Sequence, residues 1–122
     1  MIDEILQLLN RSPVLSDLRV LQQDIAPEGE FVLKARCRAK QRFTFQVWIR
    51  QDQAGVRYSY QFFSRTTILR WDNAPHFPDL ENYPHHVHDR RGKRNPSKLI
   101  GDPIKDLLPV LKEIEEFLET KT

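Results

Sequence analysis

The chain has 122 residues, of which 39% are hydrophobic and 30% are charged, and it contains one cysteine. This length suits a single hydrophobic core, the composition excludes a disordered or fibrous protein, and no run of about 18 apolar residues is present that could cross a membrane. The acidic N-terminal segment lacks the positive charge of a signal peptide, and the lone Cys37 cannot form an internal disulfide. We therefore expect a cytoplasmic protein.

The net charge of +2 is unevenly distributed along the chain. Residues 1–30 hold two bases and six acids, and residues 101–122 hold three bases and six acids. Residues 31–70, in contrast, hold nine bases and one acid. A basic middle between acidic ends predicts a local anionic partner, which is either a nucleic acid or an acidic protein.

The first predicted element is a short helix over residues 3–10, closed by Ser12 and Pro13. From Leu18 the hydrophobic period changes to two, which predicts an irregular first strand that ends at a turn over residues 27–29. Clear alternation of apolar and polar residues then predicts four more strands, over residues 31–42, 43–50, 56–62 and 67–72. Connections this short join antiparallel neighbours, so we expect a meander of about five strands.

Regular structure is hard to predict over residues 73–103, which contain five of the eight prolines and all four histidines. Asp102 then suits a helix N-cap and Pro103 the first helical position of a final amphipathic helix, which Pro109 is expected to kink or restart. The sequence thus predicts one α+β domain over residues 1–122. It consists of an N-terminal helix plus sheet (1–72), a His/Pro-rich loop (73–101) and a C-terminal helix (102–122).

Basic side chains occupy the face of the predicted sheet that points away from its apolar residues. They are Lys34, Arg36, Arg38, Lys40, Arg50 and Arg57, with Trp48 among them, and Arg65 and Arg70 could extend the set. Like charges at two-residue spacing repel across about 7 Å, so an anionic ligand would stabilise the row, and a tryptophan offers a stacking surface for a base. The alternatives are an ordinary solvated sheet face or a site for an acidic protein segment.

All four histidines lie within thirteen residues, His76 to His88, and Asp72, Asp79 and Asp89 are interspersed with them. If the chain from Pro84 onward is extended, His86 and His88 project to one side and His85 to the other.

This cluster admits three interpretations. In RNA cleavage, His86 or His88 and His76 would transfer protons while Arg70 or Arg90 bound the phosphate. In a metal site, His76, His86 and His88 with Asp72 would bind zinc, manganese or nickel, although no spacing matches a closed zinc motif. In a structural role, the histidines would only hold the loop by hydrogen bonds. We favour a metal-free site, because neighbouring rings point apart and His76 must reach across a loop of eight residues.

Two sequence segments match a known family in the same order. The segments RWDNAPH (Arg70 to His76) and YPHHVHD (Tyr83 to Asp89) resemble the TumE family of bacterial toxins, which are encoded beside a helix-turn-helix antitoxin, TumA. The resemblance is strongest over residues 58–89. It implies a toxin with such an antitoxin as its partner, and it marks Asp72, Asn73, His76, His85, His86 and His88.

Our leading expectation is a toxin that acts on RNA or a nucleotide-containing target beside the basic sheet face. The predicted reaction centre comprises His76, His86, His88, Asp72 and Arg70. The sequence leaves open whether the chain is an enzyme, and the form we favour is a metal-independent ribonuclease without a cofactor. The alternatives are a non-enzymatic module that binds nucleic acid or an acidic protein, and a metal-dependent phosphoesterase-like enzyme.

Overall fold

Alternation of apolar and polar residues builds the centre of the chain into one antiparallel sheet. The computed structural model describes residues 1–120, and within that range the sheet has seven strands in chain order. The strands are β1 (Leu15–Ile25), β2 (Phe31–Ala39), β3 (Phe43–Asp52), β4 (Gly55–Phe63), β5 (Thr67–Asp72), β6 (His86–His88) and β7 (Arg94–Pro96). Each strand pairs with the next in antiparallel orientation. The predicted α+β class and the meander are confirmed, with two strands more than expected.

The two additional strands, β6 and β7, come from the His/Pro-rich segment that was predicted to be a loop. Each has only three residues, which is too short for an alternation of period two to be recognised in the sequence. They extend the sheet beyond β5 and thereby place two histidines on it.

Two helices, α1 (Ile2–Arg11) and α2 (Pro103–Thr120), share one hydrophobic core with the sheet. Asp102 caps α2 by accepting hydrogen bonds from the backbone N–H groups of Ile104 and Lys105 at 3.1 and 3.3 Å, as predicted. The helix continues through Pro109 rather than restarting there. Residues 121–122 of the predicted helix lie outside the described residues. No helix within residues 1–120 is long and apolar enough to cross a membrane.

The sheet has one face covered by the helices and one that they leave open. Residues on the covered face include Leu33, Ala35, Cys37, Phe45, Val47, Ile49, Tyr58, Tyr60 and Phe62, all of which are buried. Burial and the nearby Asp17 raise the pKa of the Cys37 thiol to about 11, so this cysteine is a core residue and not a nucleophile. The residues that alternate with these along each strand point to the opposite side of the sheet. We call this side, which the helices do not cover, the open face.

Candidate functional site

Strand pairing brings the chemically active side chains of β5 and β6 onto the open face. Arg70 lies opposite His88, and Asp72 lies opposite His86. Directly paired residues of antiparallel strands project to the same side of a sheet, so these four side chains form one group. The prediction that His86 and His88 share a side while His85 points away agrees with this register.

Asp72 is the centre of the group. Its Oδ1 lies 2.9 Å from Nε2 of His86 and accepts a hydrogen bond of 3.0 Å from the backbone N–H of Ala74. Its Oδ2 lies 3.2 Å from Nε of Arg70 and 3.5 Å from Nε2 of His88. Only 5% of the Asp72 side chain is exposed, so the carboxylate is held by protein groups rather than by solvent.

His86 is the most deeply buried member, with 2% of its side chain exposed. Its Nδ1 lies 3.0 Å from the carbonyl oxygen of Pro84, which can only accept a hydrogen bond. Nδ1 therefore carries a hydrogen, and Nε2 is the atom that faces Asp72. The rings of Phe77 and His88 pack edge-on against His86 at centroid distances of 4.8 and 4.9 Å. The contacts with Pro84, Asp72, Phe77 and His88 thus hold the orientation of this imidazole.

His88 is the accessible histidine of the group, with 25% of its side chain exposed. Burial is the largest cause that moves the pKa of His88, and it lowers that pKa below the ordinary value. Asp72 opposes this shift, whereas His86, Arg70 and Arg94 add to it. The ring is therefore neutral near pH 7, which suits either proton transfer or metal binding.

Phe77 is a residue that the sequence did not single out. Its ring contacts His86 and His88, at centroid distances of 4.8 and 6.0 Å, and the guanidinium of Arg94 lies 4.5 Å above it. It thus packs beside the histidines and positions a cation nearby. An isolated aromatic residue among prolines gives no periodic signal, so sequence patterns could not identify it.

His76 does not join the group, contrary to its predicted role in the reaction centre. Its exposed ring lies against Phe77 at a centroid distance of 6.1 Å, in a separate depression that Lys93 and Arg94 also line. Among residues 1–120, no hydrogen bond or ion pair joins the His76 side chain to Asp72. The loop folds this residue beside the site rather than into it.

Two further residues of the family pattern have structural roles. His85 lies on the covered side, where its Nδ1 shares a hydrogen bond of 2.8 Å with the hydroxyl of Tyr58 and its ring stacks on that phenol. Asn73 accepts a hydrogen bond from the backbone N–H of Tyr58 and donates one to the carbonyl of Val56, at 2.9 and 2.7 Å. Both residues anchor the segments that flank β5 and β6.

The basic residues of the open face continue directly into this group. Register across the sheet aligns one transverse row of residues, namely Lys34, Trp48, Ser59, Asp72 and His86. A second row contains Arg36, Gln46, Gln61, Arg70 and His88. A cleft of about 440 Å³ runs between them, and its lining includes Lys34, Trp48, Arg57, Arg70 and Asp72. The two predicted features are therefore parts of one surface.

Not every predicted basic residue contributes equally to this surface. Lys40 lies outside β2, in the turn that leads to β3, with a φ of 57°, so it is not part of the strand row as predicted. Arg50 forms an ion pair of 3.4 Å with Asp52 at the far end of β3. Arg38 is exposed at the other end of the strand pair, opposite Thr44. Arg57 lines the cleft, and its Nε is buried without a hydrogen-bond partner among residues 1–120.

Comparison with known proteins identifies the family of this chain. The model of the family described as Toxin TumE matches residues 5–118, so the chain belongs to the TumE toxin family and is the toxin of a toxin–antitoxin module. No curated protein and no solved structure matches the chain.

Proposed function

We propose that this toxin binds single-stranded RNA along the cleft of the open face and cleaves it beside the Asp72–His86–His88 group. The observation that carries this proposal is the continuity of the cleft, which has Lys34 and Trp48 at one end and Arg70 and Asp72 at the other. The basic cleft and the group around Asp72 are therefore adjacent on the open face.

The composition of the cleft favours unpaired RNA over an acidic protein segment. Lys34, Arg57 and Arg70 supply charges for phosphates, while Trp48 supplies a ring on which a base can stack. Splayed bases of single strands reach such a ring, whereas bases inside a duplex do not.

The reaction we propose is transfer of the phosphodiester to the neighbouring 2′-hydroxyl. The group around Asp72 accepts the 2′-hydroxyl proton, the new O2′–P bond forms, the P–O5′ bond breaks, and the same group returns the proton to the leaving 5′-oxygen. Arg70 and Arg94 stabilise the negative charge that develops on the phosphoryl oxygens. The products are a 2′,3′-cyclic phosphate and a 5′-hydroxyl end.

Analysis of binding and products tests this function. We expect the purified toxin to cleave single-stranded RNA to ends of that type, and to bind a DNA strand of the same sequence without cutting it. Trp48→Leu should weaken RNA binding at least about fivefold, because base stacking contributes ~1–3 kcal/mol per base. Trp48→Phe, which keeps an aromatic ring, is the matched control. Tight binding without any cleavage would instead support a binding module, and cleavage of DNA would contradict the role of the 2′-hydroxyl.

A further inference from the structure

We propose that Asp72, His86 and His88 bind a divalent transition-metal ion. One carboxylate oxygen and one nitrogen from each of the two rings lie within 4.8 Å of one another. The role of the ion in RNA cleavage rests on the proposed function, whereas its binding does not.

The separations of the donor atoms fit a shared ion. Nε2 of His86 lies 2.9 Å from Oδ1 of Asp72, and Nε2 of His88 lies 3.5 Å from Oδ2. Ligand atoms that each lie about 2.0–2.2 Å from one metal are separated from each other by roughly 3 Å. The two contacts match that separation, while the three donor atoms as a set lie within 4.8 Å of one another, so side-chain rotation must shorten the widest gap for all three to reach one ion.

The hydrogen bond to Pro84 prepares His86 as a ligand. Because Nδ1 donates to the Pro84 carbonyl, Nε2 is the nitrogen that faces the Asp72 carboxylate, at 2.9 Å, and it is the atom that would bind a metal ion. A contact of this length forms when either a proton on Nε2 or a metal ion joins the two groups. A backbone carbonyl that fixes the far nitrogen is the usual outer support of a metal-bound histidine.

The carboxylate of Asp72 retains the capacity to bind the ion. An ionised carboxylate has about four acceptor positions. The N–H of Ala74 uses one of them on Oδ1, and Nε of Arg70 uses one on Oδ2. One position on each oxygen therefore remains for the metal.

A proton on His86 is the rival explanation for the short contact with Asp72. It accounts for one ring, but it does not explain why Nε2 of His88 faces the same carboxylate at 3.5 Å, where the approach is too long for a good hydrogen bond. A metal ion bound by both rings accounts for the approach of both Nε2 atoms to the Asp72 carboxylate.

The sequence suggested four ligands for a metal site, namely His76, His86, His88 and Asp72, and favoured a metal-free site because neighbouring rings point apart and His76 must reach across a loop. The structure brings three of the four together without His76. Asp72 meets His86 because β5 pairs directly with β6. Two nitrogens and one oxygen suit zinc, manganese, cobalt or nickel better than calcium or magnesium. Arg70 and Arg94 lie close by and repel a further cation, so we expect weaker binding than at a closed structural zinc site.

A bound ion would supply a second group for proton transfer, which the histidines alone do not provide. With His76 outside the group and His86 buried, His88 is the one accessible histidine within the group. An ion held by Asp72, His86 and His88 would lower the pKa of a water bound to it, and this water would serve as the acceptor of the 2′-hydroxyl proton and the donor of a proton to the leaving 5′-oxygen. The overall transfer moves one proton from O2′ to O5′ and needs no redox partner.

Metal titration of toxin purified without a histidine tag and stripped with a chelator tests the site. We expect one Zn²⁺ or Co²⁺ per chain by calorimetry, and visible absorption bands of bound Co²⁺. His88→Ala should lower the affinity at least about tenfold. His76→Ala changes the same residue type on the neighbouring loop and should leave the affinity unchanged. Asp72→Asn, which keeps the side-chain shape, provides a second test at a different ligand.

The possible results distinguish failure of the metal site from failure of the proposed ribonuclease function. Absence of binding at millimolar Co²⁺ and Zn²⁺, or equal affinity in wild type and His88→Ala, overturns the metal site. RNA cleavage at the full rate by protein shown to be metal-free overturns the role of the ion in cleavage while leaving the ribonuclease intact. Stoichiometric binding lost in His88→Ala, without RNA cleavage, supports the site and contradicts the proposed function.

Discussion

Asp72 and His86 lie directly opposite each other on β5 and β6, and Oδ1 of the carboxylate is 2.9 Å from Nε2 of the ring. Both side chains are almost completely buried, although they lie on the face of the sheet that the helices leave open. The ring of Phe77 packs against His86, and Pro96 of β7 lies opposite His86 in the sheet. A short strand added to the edge of a meander thus creates a polar site beside a basic surface.

Asp72→Asn should abolish growth inhibition and also destabilise the fold. The amide keeps the shape of the side chain but loses the negative charge that holds Arg70, His86 and His88. Loss of a buried partner in such a network costs about 1–3 kcal/mol in the free energy of unfolding. Chemical denaturation of the purified variant measures that cost. An unchanged midpoint would show that the carboxylate contributes no net stability.

His88→Ala should relieve toxicity, whereas His76→Ala should not change it. His88 is partly exposed and belongs to the group around Asp72, so its loss should relieve growth inhibition with little effect on the fold. His76 lies outside the group, so its variant should remain as toxic as the wild type. Growth curves with inducible expression, compared at equal levels of soluble protein, measure both effects. A toxic His88→Ala protein combined with a harmless His76→Ala protein would contradict the site as assigned.

The fold should lose stability in mild acid through His85. Burial lowers the pKa of His85 in the folded protein, so the unfolded chain binds a proton more readily. This contribution to stability is fully present above the pKa of His85 in the unfolded chain, about 6.5. It is lost as the pH falls toward the lower pKa of His85 in the folded protein. Thermal unfolding between pH 7.5 and pH 5 measures this loss.

His85→Gln is the control for that pH dependence, because glutamine can still reach the hydroxyl of Tyr58 but does not titrate. We expect a smaller fall in the melting temperature of this variant over the same pH range. A fall as steep as that of the wild type would assign the effect to other groups.

RNA binding should depend strongly on salt, and part of that dependence should come from two residues. Each phosphate contact contributes about 0.7 to the slope of log K against log salt for single strands. The double variant Lys34→Gln, Arg36→Gln should therefore lower the slope by roughly 1.4. The double variant Lys105→Gln, Lys112→Gln removes the same charge from exposed positions of α2 and should leave the slope unchanged. Equal slopes in all three proteins would mean that the open face is merely solvated.

Much of the fold could be predicted because alternation along β2, β3 and β4 is regular and the cap at Asp102 has a local cause. The strands β6 and β7 could not, since three residues carry no usable period. The shared side of His86 and His88 followed from extended backbone alone. Their proximity to Asp72 depends on the pairing of β5 with β6, two strands that a proline-rich segment separates in the sequence. The position of His76 depends on how that segment folds, which no local pattern encodes.

The most direct test of the account is a single-turnover assay of RNA cleavage by wild-type toxin and by His88→Ala, both at saturating protein. Binding of the RNA is first measured for each protein, so that a difference in rate reports on chemistry. We predict similar affinity and a cleavage rate at least about a hundredfold lower in the variant, as expected when a group that handles the reacting proton or its carrier is removed. Equal rates in the two proteins, or intact RNA on a saturated wild-type toxin, would contradict the assignment of the reaction centre.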